Sequence, residues 1–148
     1  MVQVKICGLK TTNAVDAAVT AGADLVGFVF FKKSPRHVTP AIAGGLAARV
    51  PVGVLKVGLT VDATDDELAA ITGNGAVDIL QLHGAETPER VAEVRRKFGL
   101  PVMKALPIAA PDDVTAARAY EGVADRLLFD AKPPKDADRP GGNALAFD

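Results

Sequence analysis

Gly22-Ala23-Asp24-Leu25-Val26-Gly27-Phe28-Val29-Phe30 sets a pattern that the chain repeats. Gly75-Ala76-Val77-Asp78 and Gly122-Val123-Ala124-Asp125 also lead from a glycine through a carboxylate into an apolar run. These three stretches precede the even-numbered members of a series of short apolar segments at residues 2–6, 25–30, 54–60, 77–82, 102–106 and 126–129. Each reads as a strand, and the segments between them carry helical patterning. Lys5, Lys56 and Lys104 fall inside the odd-numbered ones, so the repeating unit is βαβα. A (β/α)8 barrel requires such alternation, because alternate strands fill its interior layers. An open doubly wound sheet does not demand it. The strands are almost continuously apolar, as parallel strands covered on both faces should be. The expected fold is therefore α/β, a (β/α)8 barrel of which this chain supplies about six β/α units in one domain over residues 1–148.

The helix boundaries are written in local chemistry. Thr39-Pro40 and Thr87-Pro88 each place a capping hydroxyl before a proline suited to the first helical turn. Thr64-Asp65-Asp66-Glu67 matches a capping box. The first helix is expected over residues 13–20 and ends at Gly22. The fourth is expected over residues 88–98; it ends at Gly99, and Pro101 prevents its continuation.

Bulk composition excludes several classes of function. The 148 residues are 49% hydrophobic with a mean hydropathy of +0.20, enough for a packed core. Lys+Arg 17 against Asp+Glu 18 leaves a net charge of -1, which gives no electrostatic case for nucleic acid or a membrane surface. One cysteine cannot form an internal disulfide, in keeping with a reducing compartment. The sequence starts without a signal-like run and holds no stretch long enough to span a membrane, so a cytoplasmic location is expected.

That single cysteine lies in Lys5-Ile6-Cys7-Gly8, where a buried strand opens into a loop. In a barrel this end of the strand is where chemistry takes place. Residues two apart on a strand share a face, so Lys5 pairs with Cys7, Gln81 with His83, and Leu128 with Asp130. If these faces point inward, a thiol, an imidazole and a carboxyl group converge on one mouth with Lys5 a layer below. That is an acid/base constellation. Each member also has a plainer reading: Cys7 as a small buried hydrophobe, His83 as a satisfied core histidine, Asp130 as a cap, and the three lysines as partners of acids at the barrel base.

Two loops are candidates for ligand contact. Residues 31–37 carry Lys32, Lys33, Arg36 and His37, and the planar fork of Arg36 suits a carboxylate. Residues 131–148 contain the pair Gly141-Gly142, where backbone N–H groups could approach an anion. His37, His83 and Cys7 have no metal-ligand spacing, so no metal site is expected.

Taken together, Val4-Lys5-Ile6-Cys7-Gly8, Ala21-Gly22-Ala23-Asp24 with Gly27-Phe28-Val29-Phe30, Ser34-Pro35-Arg36, Val38-Thr39-Pro40, Lys56-Val57-Gly58, Leu80-Gln81-Leu82-His83-Gly84 and Leu127-Leu128-Phe129-Asp130 resemble the phosphoribosylanthranilate isomerase family. The likeness runs in order along the whole chain, through Gly141-Gly142 and Phe147-Asp148. It implies a barrel enzyme of tryptophan biosynthesis that performs an Amadori rearrangement on a small phosphorylated substrate, as a monomer or homodimer and without a cofactor. It further implies Cys7 as general base, Asp130 as general acid, Arg36 on the anthranilate carboxylate, and Gln81, His83, Gly141 and Gly142 in substrate binding. Lys5 would be the cation near the thiolate.

Members of that family continue beyond the counterpart of Phe147-Asp148 through two further β/α units, so the sequence is expected to be part of a longer enzyme. Gly141-Gly142-Asn143 departs from the family's commoner Gly-Gly-Thr-Gly. The alternatives are a non-catalytic barrel scaffold and a related phosphate-binding barrel enzyme such as an indole-glycerol-phosphate synthase. The latter calls for lysine and glutamate in place of Cys7 and Asp130.

Overall fold

A computed structural model describes residues 2–131. They alternate β1 (Lys5–Cys7), α1 (Thr12–Thr20), β2 (Leu25–Val29), α2 (Pro40–Ala47), β3 (Leu55–Thr60), α3 (Asp65–Thr72), β4 (Ile79–Leu82), α4 (Pro88–Phe98), β5 (Val102–Ile108), α5 (Pro111–Ala117) and β6 (Arg126–Ala131), with a 3₁₀ turn at Arg118–Tyr120 before β6. All neighbouring strands pair in parallel, and their order in the sheet is their order in the chain. A doubly wound sheet reverses direction at a switch point; this one does not. It curls instead, bringing Arg126 at the foot of β6 within 2.9 Å of Gln3 before β1. The fold is the expected (β/α) barrel with six strands among the described residues.

The caps form where the sequence places them. Thr39, Thr64 and Thr87 accept from the N–H groups of Ile42, Glu67 and Arg90, and Glu67 closes its capping box on the Thr64 N–H at 3.0 Å. Gly99 takes the left-handed conformation, φ 65°, that ends α4. The first helix begins one residue earlier than expected because Thr11 caps it.

The largest difference lies in the first strand, which starts at Lys5 instead of Val2. Val2 and Val4 are 87% and 49% exposed, so the apolar run there lacks the helical cover that its composition suggests.

Register divides each strand into an inward and an outward face. Val26 and Phe28 of β2 face out, against Val15 and Ala18 of α1 and Ala43 and Leu46 of α2. Leu80, Leu82 and Val102 pack against Leu68 and Ile71 of α3 and Val91 and Val94 of α4. Leu25, Leu55, Val57, Ile79, Met103 and Leu128 meet inside the barrel and form its lower layer. Burying each such aliphatic side chain contributes about 1.5–3 kcal/mol. This apolar floor closes the interior beneath the polar side chains at the mouth.

Register also separates the three lysines. Lys5 pairs with Leu25 and Leu25 with Leu55, so Lys56 lies on the opposite face from Lys5. Lys56 meets Asp78 at 2.9 Å at the barrel base, in line with the plainer reading of its role. Lys104 also points outward, to Glu86 at 2.8 Å.

Candidate active site

Cys7 ends β1 directly opposite Gly27 of β2. The N–H groups of Gly8 and Leu9 both donate to the Gly27 carbonyl, at 2.9 and 3.0 Å, so the chain turns sharply just after the thiol. Gly8 makes that turn with φ +82°, a conformation costly for other residues. Gly27 matters for another reason. A Cβ there would lie 2.7 Å from Cys7 Sγ and 3.1 Å from its Cα, so the thiol occupies the space that a side chain at residue 27 would fill. Cys7 itself is exposed.

Arg36 arrives from the loop after β2. Ser34 shapes its turn by accepting the Arg36 N–H at 3.1 Å, and Lys10 holds the Pro35 carbonyl at 3.0 Å. The Arg36 stem lies across Gly8, where a Cβ would come 2.3 Å from Cδ. The two glycines thus let the thiol and the arginine stem pack close to the same turn.

Four further side chains form one polar chain. Lys5 Nζ donates to Gln81 Oε1. Gln81 Nε2 lies 3.1 Å from His83 Nδ1, and His83 Nε2 lies 3.3 Å from Asp130 Oδ2. Asp130 Oδ1 accepts the Ala131 N–H at 3.0 Å, so both carboxyl oxygens are held. Burial lowers the Lys5 ammonium from its ordinary value, while the neighbouring Cys7 and Asp130 oppose that shift. Burial is also the main reason that His83 falls below its ordinary value; Asp130 opposes it, and Lys104 and Lys5 add to it. The outcome is a neutral imidazole near neutral pH. A concavity of about 500 Å³ opens beside His83 and Asp130, walled by Asp62, Leu106, Pro107 and Tyr120.

The structure therefore joins Gln81, His83 and Asp130 in one network, and places Cys7 close enough to Lys5 for their charges to interact. The Arg36 stem lies across Gly8, the residue after the thiol. Gly141 and Gly142 lie outside the described residues. Among the described residues, no group of three or more His, Cys, Asp or Glu side chains could hold a metal ion. Nor is any helix there long and apolar enough to cross a membrane.

A second polar cluster was not expected from the sequence. Glu86 is 7% exposed and takes the N–H groups of Asp62 and Gly84 on its two oxygens, each at 2.9 Å. Lys104, 1% exposed, binds Glu86 and the Gly84 carbonyl at 2.8 and 2.7 Å. The Tyr120 hydroxyl donates to the Glu86 carbonyl at 2.9 Å. This cluster ties the loops after β3 and β4 to β5 and fixes the wall beside His83. Its signal was Lys104 itself, since an ammonium inside Val102-Met103-Lys104-Ala105-Leu106 requires a buried partner. Spacing does not name that partner.

A parallel (β/α) barrel with a thiol, an imidazole and a carboxyl group at the carboxyl ends of its strands defines a class: barrel proteins equipped for acid/base chemistry on a small molecule. Comparison narrows the class. The family model for N-(5'-phosphoribosyl)anthranilate (PRA) isomerase matches residues 4–148. An N-(5'-phosphoribosyl)anthranilate isomerase of Paracoccus denitrificans is 61% identical over 147 residues, covering 99% of this chain and 68% of that protein. The crystal structure of phosphoribosyl anthranilate isomerase from Thermotoga maritima superposes with a TM-score of 0.83 at 31% identity, over 91% of this chain and 64% of that one. A second solved structure, of the isomerase in complex with reduced 1-(o-carboxyphenylamino)-1-deoxyribulose 5-phosphate, gives a TM-score of 0.81 at 30% identity, over 88% of this chain and 66% of that one. The chain belongs to the N-(5'-phosphoribosyl)anthranilate isomerase family. It spans about two thirds of the length of these relatives.

Proposed function

We propose that this protein isomerises N-(5'-phosphoribosyl)anthranilate to 1-(2-carboxyphenylamino)-1-deoxyribulose 5-phosphate in tryptophan biosynthesis. Family membership supports the reaction, and the complex of a similar isomerase with the reduced ketose phosphate supports the substrate class. The observation that carries the assignment of roles is the flanking of one interior mouth by Cys7 on β1 and by Asp130, held by His83, on β6. Cytoplasmic location and a monomeric or homodimeric state belong to the same reading.

In this mechanism Asp130 protonates the ribose ring oxygen. The C1'–O bond breaks, and the anilino nitrogen supplies the electron pair that forms the Schiff base. Cys7, as thiolate, then removes the proton from C2'. That C–H pair becomes the C1'–C2' double bond, and the iminium electrons return to nitrogen. The enolamine tautomerises to the ketone. No net oxidant is required, because C1' is reduced as C2' is oxidised. The base role calls for a thiolate, since a neutral thiol is too weakly basic to take a proton from carbon, and the Lys5 ammonium is the cation beside it. Arg36 would hold the anthranilate carboxylate through its planar fork. Gln81 and His83 would line the pocket, and Gly141 and Gly142 would offer backbone N–H groups to the substrate.

The test uses the protein at the full length of its relatives, supplied with phosphoribosylanthranilate and followed for appearance of the ketose phosphate. Turnover is expected. Cys7→Ala and Asp130→Asn are each expected to lower kcat by roughly 10²–10⁴-fold, the range that positioned proton transfer supplies, with little change in binding of a product analogue. Near-normal kcat in either variant would remove that residue from its role, and failure of the unaltered protein to turn over would sink the isomerase assignment.

A further inference from the structure

Lys5, Gln81, His83 and Asp130 form an unbroken polar chain across the mouth from β1 to β6, and its direction is set at one end. An ammonium has three donors and no acceptor, so the carbonyl oxygen of Gln81 must face Lys5. The amide NH2 of Gln81 then faces His83 Nδ1 at 3.1 Å, and it can offer that nitrogen only a proton. Nδ1 must therefore accept. A neutral imidazole carries its one proton on the remaining nitrogen, Nε2, which lies 3.3 Å from Asp130 Oδ2. Burial keeps the ring neutral, as described above.

We infer that Lys5 is a positioning residue for the acid step: acting through Gln81, it locks His83 as the Nε2–H tautomer, so that His83 orients Asp130 but cannot take its proton. The need for such a lock follows from geometry. The other tautomer would aim a basic lone pair at Asp130 from 3.3 Å, and a proton meant for the substrate's ring oxygen would have a competing acceptor. With the lock in place His83 has no free lone pair: Nδ1 is engaged by Gln81, and Nε2 already bears hydrogen. A proton on Asp130 then has one productive destination. The consequence for catalysis rests on the isomerase reading of Asp130, whereas the tautomer is a property of the free protein and is measured without turnover.

The experiment is two-bond ¹H–¹⁵N correlation on ¹⁵N-labelled protein. Within residues 1–148 only His37 and His83 contribute imidazole signals, and His37→Gln tells them apart. Unaltered protein is expected to show a pyrrole-type Nε2 and a pyridine-type Nδ1 for His83. Lys5→Met keeps the stem but removes the donor, freeing the amide to turn; the His83 signals are expected to move toward the Nδ1–H form. Lys5→Arg restores a donor and should restore the pattern. Gln81→Glu leaves Lys5 a partner but gives Nδ1 an acceptor in place of a donor, so His83 should gain a proton on Nδ1. In the turnover assay Lys5→Met is expected to lose about tenfold in kcat, a part of the roughly 10²–10⁴-fold available to proton transfer, and Lys5→Arg should recover most of it. A His83 protonated on Nδ1 in the unaltered protein would overturn the inference. So would unchanged His83 signals in folded Lys5→Met or Gln81→Glu protein. An inactive protein with the expected tautomer and the expected variant shifts would count against the isomerase reading alone.

Discussion

Cys7 depends on a residue that has no side chain. Because a Cβ on Gly27 would lie 2.7 Å from Sγ and 3.1 Å from the Cys7 backbone, Gly27→Ala cannot be absorbed by rotating the thiol alone; β1 and β2 must also shift. Overpacking of this kind costs about 1–3 kcal/mol. The expected result is a modest fall in the urea midpoint, with a much larger fall in kcat because the base moves. A variant with reduced stability and unchanged kcat would show that the position of Sγ over β2 is unimportant. His83 gives the residue scale a pH dependence. Burial holds its native value below the unfolded value of about 6.5, so between those two values the unfolded chain binds a proton that the native state does not. Stability from this group is therefore present above about pH 6.5, is lost as pH falls below it, and levels off beneath the native value. Carboxylates with lowered values act in a lower window. Asp125 is one: burial would raise it, but the Val102 N–H and Arg95 outweigh that effect. Urea midpoints taken from pH 8 to pH 5 should decline in the unaltered protein and decline less in His83→Asn; parallel curves would contradict the assignment.

The elements were largely legible in the sequence because their boundaries rest on local chemistry. Thr39, Thr64, Thr87 and Gly99 act through groups within a few residues, and each does what its spacing indicates. Parity was legible too: once a strand exists, Gln81 and His83 must share a face, as must Lys5 and Cys7. What escaped were relations between strands. Treating Lys5, Lys56 and Lys104 as equivalent marks of odd strands misses the register that turns the latter two outward. The Glu86 cluster escaped because Asp62, Lys104 and Tyr120 come to it from another loop, β5 and the 3₁₀ turn, 18 to 34 residues from Glu86. It is also the element-scale feature most open to test. Glu86→Ala leaves the Lys104 ammonium buried without an anionic partner, against carbonyl oxygens and the Tyr120 ring, and frees the N–H groups of Asp62 and Gly84. Breaking a buried pair by removing one partner costs roughly 3–5 kcal/mol. The expected loss is of that size in chemical denaturation, and Glu86→Ala with Lys104→Met should recover part of it. A loss below about 1 kcal/mol, the worth of an exposed pair, would mean that the loops stay ordered without the cluster.

At the scale of the whole molecule, the described residues leave β1 paired only with β2 and β6 only with β5. Their outward rows are apolar and exposed: Val4 and Ile6 on one edge are 49% and 41% accessible, and Leu127 and Phe129 on the other are 37% and 44%. Gln3 and Arg126 link the two edges at the foot of the sheet. Higher up, no strand among the described residues pairs with either edge. Unpaired parallel edges flanked by apolar side chains are templates for another chain. Relatives of this protein are about half as long again, since the chain covers 68% of the Paracoccus denitrificans isomerase. A protein of these 148 residues expressed alone is therefore expected to self-associate as its concentration rises, whereas one extended to the length of its relatives should not do so through these rows. Light scattering coupled to gel filtration across a hundredfold concentration range distinguishes the two. Replacing Ile6 and Phe129 by threonine should reduce association of the shorter protein without changing the register of β1 or β6, because both side chains point away from the interior layer. A short protein that stays monomeric throughout would show that its edges are already protected, and the apolar rows on β1 and β6 would then need another explanation.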